Sequence, residues 1–271
     1  MTEPDPYLLG YRLTEQQRLE RQALELAPES ERLFDEIGVR PGWQVVEIGC
    51  GPQGCLGLLA RRVGAAGRVV GVELSAQQAE TARRFAAASH FANVEVLCAD
   101  ARRTGLPAGA FDLATSRLVL GNVPQPEGIV AEMVRLARPG GVVAFHEPDA
   151  TVGRIDPPHA AQDELLELLA RYAEINGIDR SIGLRVPRML RAAGIVDVRV
   201  NALVHAYPPG HGRRMLVLDF VENARSRLLE KGLVAEAELD RLTRALRRHL
   251  EDPGTLVISS LFLQVWGRKP E

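Results

Sequence analysis

From residue 43 onward, short continuous apolar runs alternate with stretches whose apolar residues recur every three or four positions. The runs are WQVVEI, RVVGVEL, NVEVLC, FDLATS and GVVAFH, and the helical stretches among them are CLGLLARRV, AQQAETARRFAAA and GIVAEMVRLA. A continuous run, unlike an apolar/polar alternation, buries both faces of a strand. Strands alternating with helices in this way predict a parallel sheet covered on both sides. Residues 1–40 read differently: Thr14 and Gln17 form a capping-box pair, Leu19, Ala23, Leu24 and Ala27 follow at helical spacing, Pro28 interrupts, and a second short helix ends near Gly38. After His146 the rhythm breaks. Residues 148–183 give a proline-rich connection, DPPH, and one helix, DELLELLARYAEI. A helix with PRMLRAAG and a strand IVDVRVNALVHA follow, then a helical pair within 207–252, then a last strand within LVISSLFLQVW.

The expected architecture is therefore an α/β, doubly wound, Rossmann-like sheet. Residues 1–40 form a helical lid, and 41–271 form one domain with helical insertions at 148–183 and 207–252. All three decorations can lie over the carboxyl ends of the strands, where open α/β sheets bind ligands.

Composition narrows the choice of ligand and compartment. The chain has 271 residues, 46% hydrophobic and 25% charged, with a net charge of -2. That is a globular mixture with no general electrostatic pull toward nucleic acid or anionic membrane. Three cysteines, Cys50, Cys55 and Cys98, match no zinc-finger spacing, and no compact ligand motif such as H-E-x-x-H is present, so no metal is expected. The start MTEPDPYLLG carries neither a basic n-region nor an apolar h-region, and the longest apolar stretch is far short of the ~20 residues a membrane helix needs. A cytoplasmic protein is expected. Only Lys231 and Lys269 are lysines, which leaves few candidates for Schiff-base chemistry.

Candidate chemistry begins at VVEIGCGPQG, where Gly49, Gly51 and Gly54 follow a strand and open a helix in G-x-G-x-x-G spacing. Glycines there let the chain turn tightly and let a ligand approach bare backbone at a helix amino terminus. Two ligand classes use such a loop. A nicotinamide or flavin dinucleotide would set its pyrophosphate on the helix, with Glu73 on the ribose. S-Adenosylmethionine uses the same strand-end acid but carries an ammonium and a sulfonium. Glu47, two residues before Gly49, would repel a pyrophosphate and suit a cation, and Asp100 follows the next strand with the amide of Ala101 beside it. Three carboxylates at three successive strand ends fit a cation-bearing nucleoside. A dinucleotide oxidoreductase also gains no support from a Tyr-x-x-x-Lys pair, which is absent.

The segments EIGCGPQG, GVELS, CADA, FDLATSRLVLGNVPQP and LARPGGVVAFHEPD, in this order, resemble the motifs of class I S-adenosylmethionine-dependent methyltransferases over residues 41–148. The resemblance implies a seven-stranded sheet with an antiparallel last strand, supplied by 195–206 and 255–266. It implies that Glu47, Gly49 and Gly51 line the methionine end, that Glu73 binds the ribose, that Asp100 and Ala101 hold adenine, that Ser116 and Arg117 lie under the methionine, and that Cys50 and Leu74 also bind the cofactor. YLLGYRLTEQQRLERQ and the tail PGTLVISSLFLQVWGRKP are similar to actinobacterial small-molecule methyltransferases, including enzymes of natural products. This implies a first helix closing over the cofactor, sometimes on a neighbouring subunit, with Tyr7, Tyr11 and Arg12 as lid residues, and hence a homo-oligomer. Relatives often carry a histidine where this chain has Asn122, which cannot take a proton, so a general base is sought at AFHEPD, in Glu147 or His146. The expected activity is in-line methyl transfer to a small, largely apolar acceptor. A non-catalytic S-adenosylmethionine-binding protein is the other alternative.

Overall fold

The computed structural model describes residues 13–271. Two helices, α1 (Leu13–Glu25) and α2 (Ala27–Ile37), precede the sheet. Pro28 stands in the first turn of α2, where its missing N–H has no intrahelical partner to lose. Gly38 ends that helix in the left-handed region at φ 81°, its N–H donating to the carbonyls of Phe34 and Asp35. There follow β1 (Gln44–Ile48), α3 (Leu56–Val63), β2 (Arg68–Glu73), α4 (Ala76–Ala88), β3 (Val94–Cys98), β4 (Phe111–Arg117), α5 (Glu127–Leu136) and β5 (Ala137–Asp149). Next come β6 (Arg154–Asp156), α6 (Ala160–Ile175), α7 (Ile182–Ala192), β7 (Val196–Leu203), β8 (Ala206–Tyr207), α8 (Leu216–Glu230), α9 (Glu236–Glu251), β9 (Leu256–Ile258) and β10 (Leu261–Arg268).

Seven strands form one sheet in the order β3-β2-β1-β4-β5-β10-β7. β1 pairs in parallel with β2 and β4, and β10 runs antiparallel to both β5 and β7, so the last strand in sequence is the reversed one. Burial follows the two-residue strand period. Val45, Val69, Leu113, Val142 and Ala144 pack against α2, α3 and α4 on one face, whereas Val46, Val70, Ala114, Val143 and Phe145 pack against α5 and α7 on the other. Both faces are dry, as continuous apolar runs require. The exceptions are the edge strands: Glu95 and Cys98 of β3 and Val196 and Val200 of β7 are exposed.

The stretch LVISSLFLQVW is not one strand. It breaks at Ser259, whose amide donates to the His205 carbonyl at 2.8 Å and whose hydroxyl accepts from the His205 amide at 3.0 Å. β9 is thereby turned into a small second sheet, order β6-β9-β8, and only β10 joins the main one. This little sheet and helices α6, α8 and α9 enclose a core of their own, including Leu165, Leu168, Tyr172, Leu218, Val221, Leu239 and Leu246. In α9 the leucines at 239, 242, 246 and 250 face that core. The arginine-rich side carries surface ion pairs, such as Arg241 with Glu238. Among the described residues, no helix is long and apolar enough to cross a membrane.

Candidate active site

The bend after β1 has Gly49, Gly51 and Gly54 at φ 67°, 57° and 48°, a region L side chains adopt only with strain. Their neighbours differ. A Cβ on Gly49 would lie 2.3 Å from a methyl of Val119, and one on Gly54 would lie 2.6 Å from both the Cys50 carbonyl and a Glu47 oxygen. A Cβ on Gly51 would meet nothing within 4 Å. Two of the glycines therefore permit packing, and the third borders open space.

That space is a cleft holding about 1010 Å³, open solvent at its mouth included, at the carboxyl ends of β1, β2, β3 and β4. Glu47 is buried on its floor, both oxygens accepting from the Cys55 amide at 2.8 and 3.0 Å. Burial pushes its carboxyl up to about 7, although Arg117 nearby favours the charged form. Glu73 accepts from the Gly51 amide at 3.0 Å and the Ser75 amide at 2.9 Å, and burial raises its pKa as well. Asp100 caps its own turn by accepting from the Arg102 amide at 2.8 Å and leaves its carboxylate half exposed. Three acids thus converge on one cleft. The open cradle at Gly51 and this acid set fit a nucleoside carrying positive charge.

Of the residues nominated from sequence, Glu47, Gly49, Cys50, Gly51, Glu73, Leu74, Asp100, Ala101 and Arg117 line the cleft together. Ser116 does not. Its position alternates with Arg117 along β4, so it is buried on the face that Ala114 shares with α5 and α7, and its hydroxyl has no hydrogen-bond partner. Arg117 points the other way and ties the site together, donating to the Ser30 hydroxyl on α2 at 2.9 Å and to the Gly54 carbonyl at 3.2 Å. Tyr7, Tyr11 and Arg12 lie outside the described residues. The first helix nevertheless reaches the cleft through Leu19 and Ala23, two of the apolar positions at helical spacing, and through Gln22, which that spacing does not single out.

A second space of about 1160 Å³, its mouth included, adjoins the first and shares Leu19, Gln22, Leu118 and Asn122 with it. Its walls come from α6 (Leu166, Leu169, Tyr172), α8 (Leu216, Val217, Phe220) and Phe262 of β10. The insertions do lie over the strand ends, with α9 behind α6 and α8 rather than at the pocket. At the junction Leu118 is held at φ 60°, a conformation costing roughly 1–3 kcal/mol for such a residue. Its amide donates to the His146 carbonyl, and its own carbonyl accepts from the Asn122 side chain at 2.8 Å. Asn122 therefore holds the strained residue between the two spaces.

The two residues nominated as bases are placed differently from that expectation. Glu147 is fully buried, is not in the wall of either space, and accepts from the amides of Val119, Leu120 and Gly121 at 2.9, 2.9 and 3.3 Å. It pins the turn beneath Leu118, and burial pushes its carboxyl up to about 7. His146 points to the opposite face, its ring edge-on to Phe262, with Nε2 3.5 Å from Glu29 of α2. Burial, with Arg117, Arg213 and His205 nearby, pushes its pKa down to about 3, so the ring is neutral. His205 Nε2 approaches the same Glu29 at 3.0 Å, and Gln264 donates to the Glu29 carbonyl. Neither residue lines either space; both brace the elements that form the walls. The cluster AFHEPD was informative about position, but saturation by backbone amides is invisible in sequence.

Parts of the chain are similar to known proteins. Residues 46–145 match the methyltransferase domain family. Nocamycin O-methyltransferase of Saccharothrix syringae is 28% identical over 191 residues, covering 64% of this chain and 66% of that protein. Aklanonic acid methyltransferase of a Streptomyces species is 32% identical over 121 residues, covering 45% and 55%. Phosphoethanolamine N-methyltransferase 2 of Haemonchus contortus, solved with S-adenosyl-L-methionine, superposes with a TM-score of 0.58 at 17% identity over 90% of this chain and 53% of that one, a likeness of fold. The chain spans between 36% and 66% of the length of these and the other first curated relatives it matches.

Proposed function

We propose that this protein, whose residues 46–145 match the methyltransferase domain family, transfers a methyl group from S-adenosylmethionine to a small, largely apolar metabolite of natural-product biosynthesis. The observation that carries this reading is the pair of adjoining spaces, one acid-lined at a glycine bend and the other apolar under a helical cap, meeting at Leu118 and Asn122. The relatives named for nocamycin and aklanonic acid support the class of acceptor.

Glu73 would hold the ribose hydroxyls of the cofactor, Asp100 and the Ala101 amide its adenine, and Glu47 with the Gly49–Gly51 backbone its amino-acid end. Bound there, S-adenosylmethionine supplies an electrophilic methyl carbon on a sulfonium. The protein's own task is then alignment and exclusion of water. Leu118, fixed by Asn122 and by the turn that Glu147 holds, sets the contact between the two spaces, and α1 roofs both through Leu19 and Gln22. Holding the acceptor within about 3–3.5 Å of the methyl carbon, in line, is the larger part of the catalysis such a site offers. In this reading α1 and α2 act as the lid, and no side chain in the acceptor wall serves as an obligatory base.

Isothermal titration with S-adenosylmethionine, S-adenosylhomocysteine and NAD(P)H tests the cofactor. Micromolar binding of the first two and none of the third is expected. Dinucleotide binding alone would convert the assignment to an oxidoreductase. Transfer of a labelled methyl to a panel of polycyclic and polyketide acceptors then separates an enzyme from a protein that only binds the cofactor.

A further inference from the structure

The wall of the apolar space contains three arginines, Arg18, Arg180 and Arg213, and no aspartate or glutamate. A cation facing an apolar chamber is costly unless something neutralises it. Arg213 is neutralised within the protein by Glu25, which accepts from its Nε at 2.8 Å. Arg18 donates to the Gln22 side chain at 2.8 Å and lies over the Phe220 ring. Arg180 is different. It donates only to two backbone carbonyls, Leu166 at 3.3 Å and Ala150 at 3.0 Å, and among the described residues it makes no ion pair. A guanidinium has five N–H donors in a flat fork. Two are used, and the rest belong to a residue in the wall of the chamber. Burial lowers its pKa, and although it feels the charge of Asp149, that carboxylate accepts from the Thr151 amide and hydroxyl and makes no ion pair with it among the described residues.

Resting on the methyltransferase reading above, we infer that the acceptor pocket takes an apolar molecule bearing a single carboxylate, and that Arg180 is the specificity-determining residue that receives it. The charge count favours one negative charge over a diphosphate, since one of the three arginines is left with carbonyl partners alone. The layout also separates charge along the reaction axis: acids surround the space for the cationic cofactor, and the arginines surround the space for an anionic acceptor. A neutral acceptor would leave the remaining guanidinium N–H donors in an apolar wall without an anionic partner, which is how such a site discriminates against it.

The probes are 4-biphenylcarboxylate and 4-biphenylcarboxamide, alike in shape and different in charge, titrated calorimetrically into the full chain with S-adenosylhomocysteine present. The acid is expected to bind at least about tenfold more tightly than the amide. Arg180→Lys should keep part of that preference, and Arg180→Met should erase it while affinity for S-adenosylhomocysteine and the melting temperature stay near those of the parent. Equal binding of acid and amide, binding of neither, or an acid preference that survives Arg180→Met overturns the inference. The comparison requires no turnover. Failure here with cofactor binding intact leaves the proposed function standing, whereas loss of cofactor binding would remove that function and leave the acid preference readable.

Discussion

Gly51 offers the cleanest separation of folding from binding. Its φ of 57° makes alanine strained, and its Cβ would meet no heavy atom within 4 Å, so Gly51→Ala adds strain and no clash to the free protein. The strain amounts to roughly 1–2 kcal/mol, which in a chain of this size lowers the melting temperature by about 2–6 °C. The open space beside that Cβ is the cleft. A methyl group there forces the ligand away from the bend, with a steric cost of about 1–3 kcal/mol, and weakens a charge-assisted hydrogen bond at Glu73 worth about 1.5–3 kcal/mol. Together these predict a loss of S-adenosylmethionine affinity of about 100-fold or more. Two companions calibrate the result. Gly38→Ala carries the same kind of strain at φ 81° with equally open surroundings, but at the end of α2 and outside the cleft, so it should lose stability and keep affinity. Gly49→Ala would place its Cβ 2.3 Å from Val119 and should destabilise the fold further. The assay is titration calorimetry beside thermal melting. Affinity in Gly51→Ala within about threefold of the parent would refute the claim that the ligand rests on this bend.

Glu73→Ala removes the acceptor for the Gly51 and Ser75 amides and the proposed ribose ligand, so cofactor affinity should fall at least about 30-fold, and unchanged affinity would dismiss the ribose role. Binding should also depend on pH with a definite sign. Burial raises Glu47 to about 7, so below that pH the free protein holds it neutral, and pairing with a cationic ligand requires it to lose the proton. Affinity for S-adenosylmethionine should therefore weaken about 25-fold from pH 7.5 to 5.5, and a flat profile would separate Glu47 from the charged end of the ligand. Glu147→Gln sets an amide nitrogen against the donors of the Val119–Gly121 turn, so it should cost about 1–3 kcal/mol of stability in denaturant melts. Its kcat per folded molecule should stay within a fewfold of the parent, and a fall of a hundredfold or more at full stability would restore Glu147 as a base.

The apolar runs, the glycine spacing and the acids at three strand ends are local features. They sufficed to predict a doubly wound parallel sheet with acids gathered at its strand ends, because strand burial and strand-end position follow from a two-residue period and a few turn residues, whereas the count of seven strands and the reversed last one were implied by the resemblance to class I methyltransferases. Other features depend on contacts between residues far apart in sequence. Ser116 and Arg117 are neighbours on β4, yet only the twist and packing of the sheet decide which one meets the glycine bend and α2. Glu147 looked like a base until the amides of a turn 26 to 28 residues away saturated it. The break at Ser259 is set by a hydrogen-bonded exchange with His205, 54 residues earlier. The Arg213 charge is cancelled by Glu25 across 188 residues while Arg180 keeps only carbonyl partners. Local pattern determines which groups stand near the ends of the strands; whether a group is consumed by the protein or left for a ligand depends on partners that only the folded chain brings within reach.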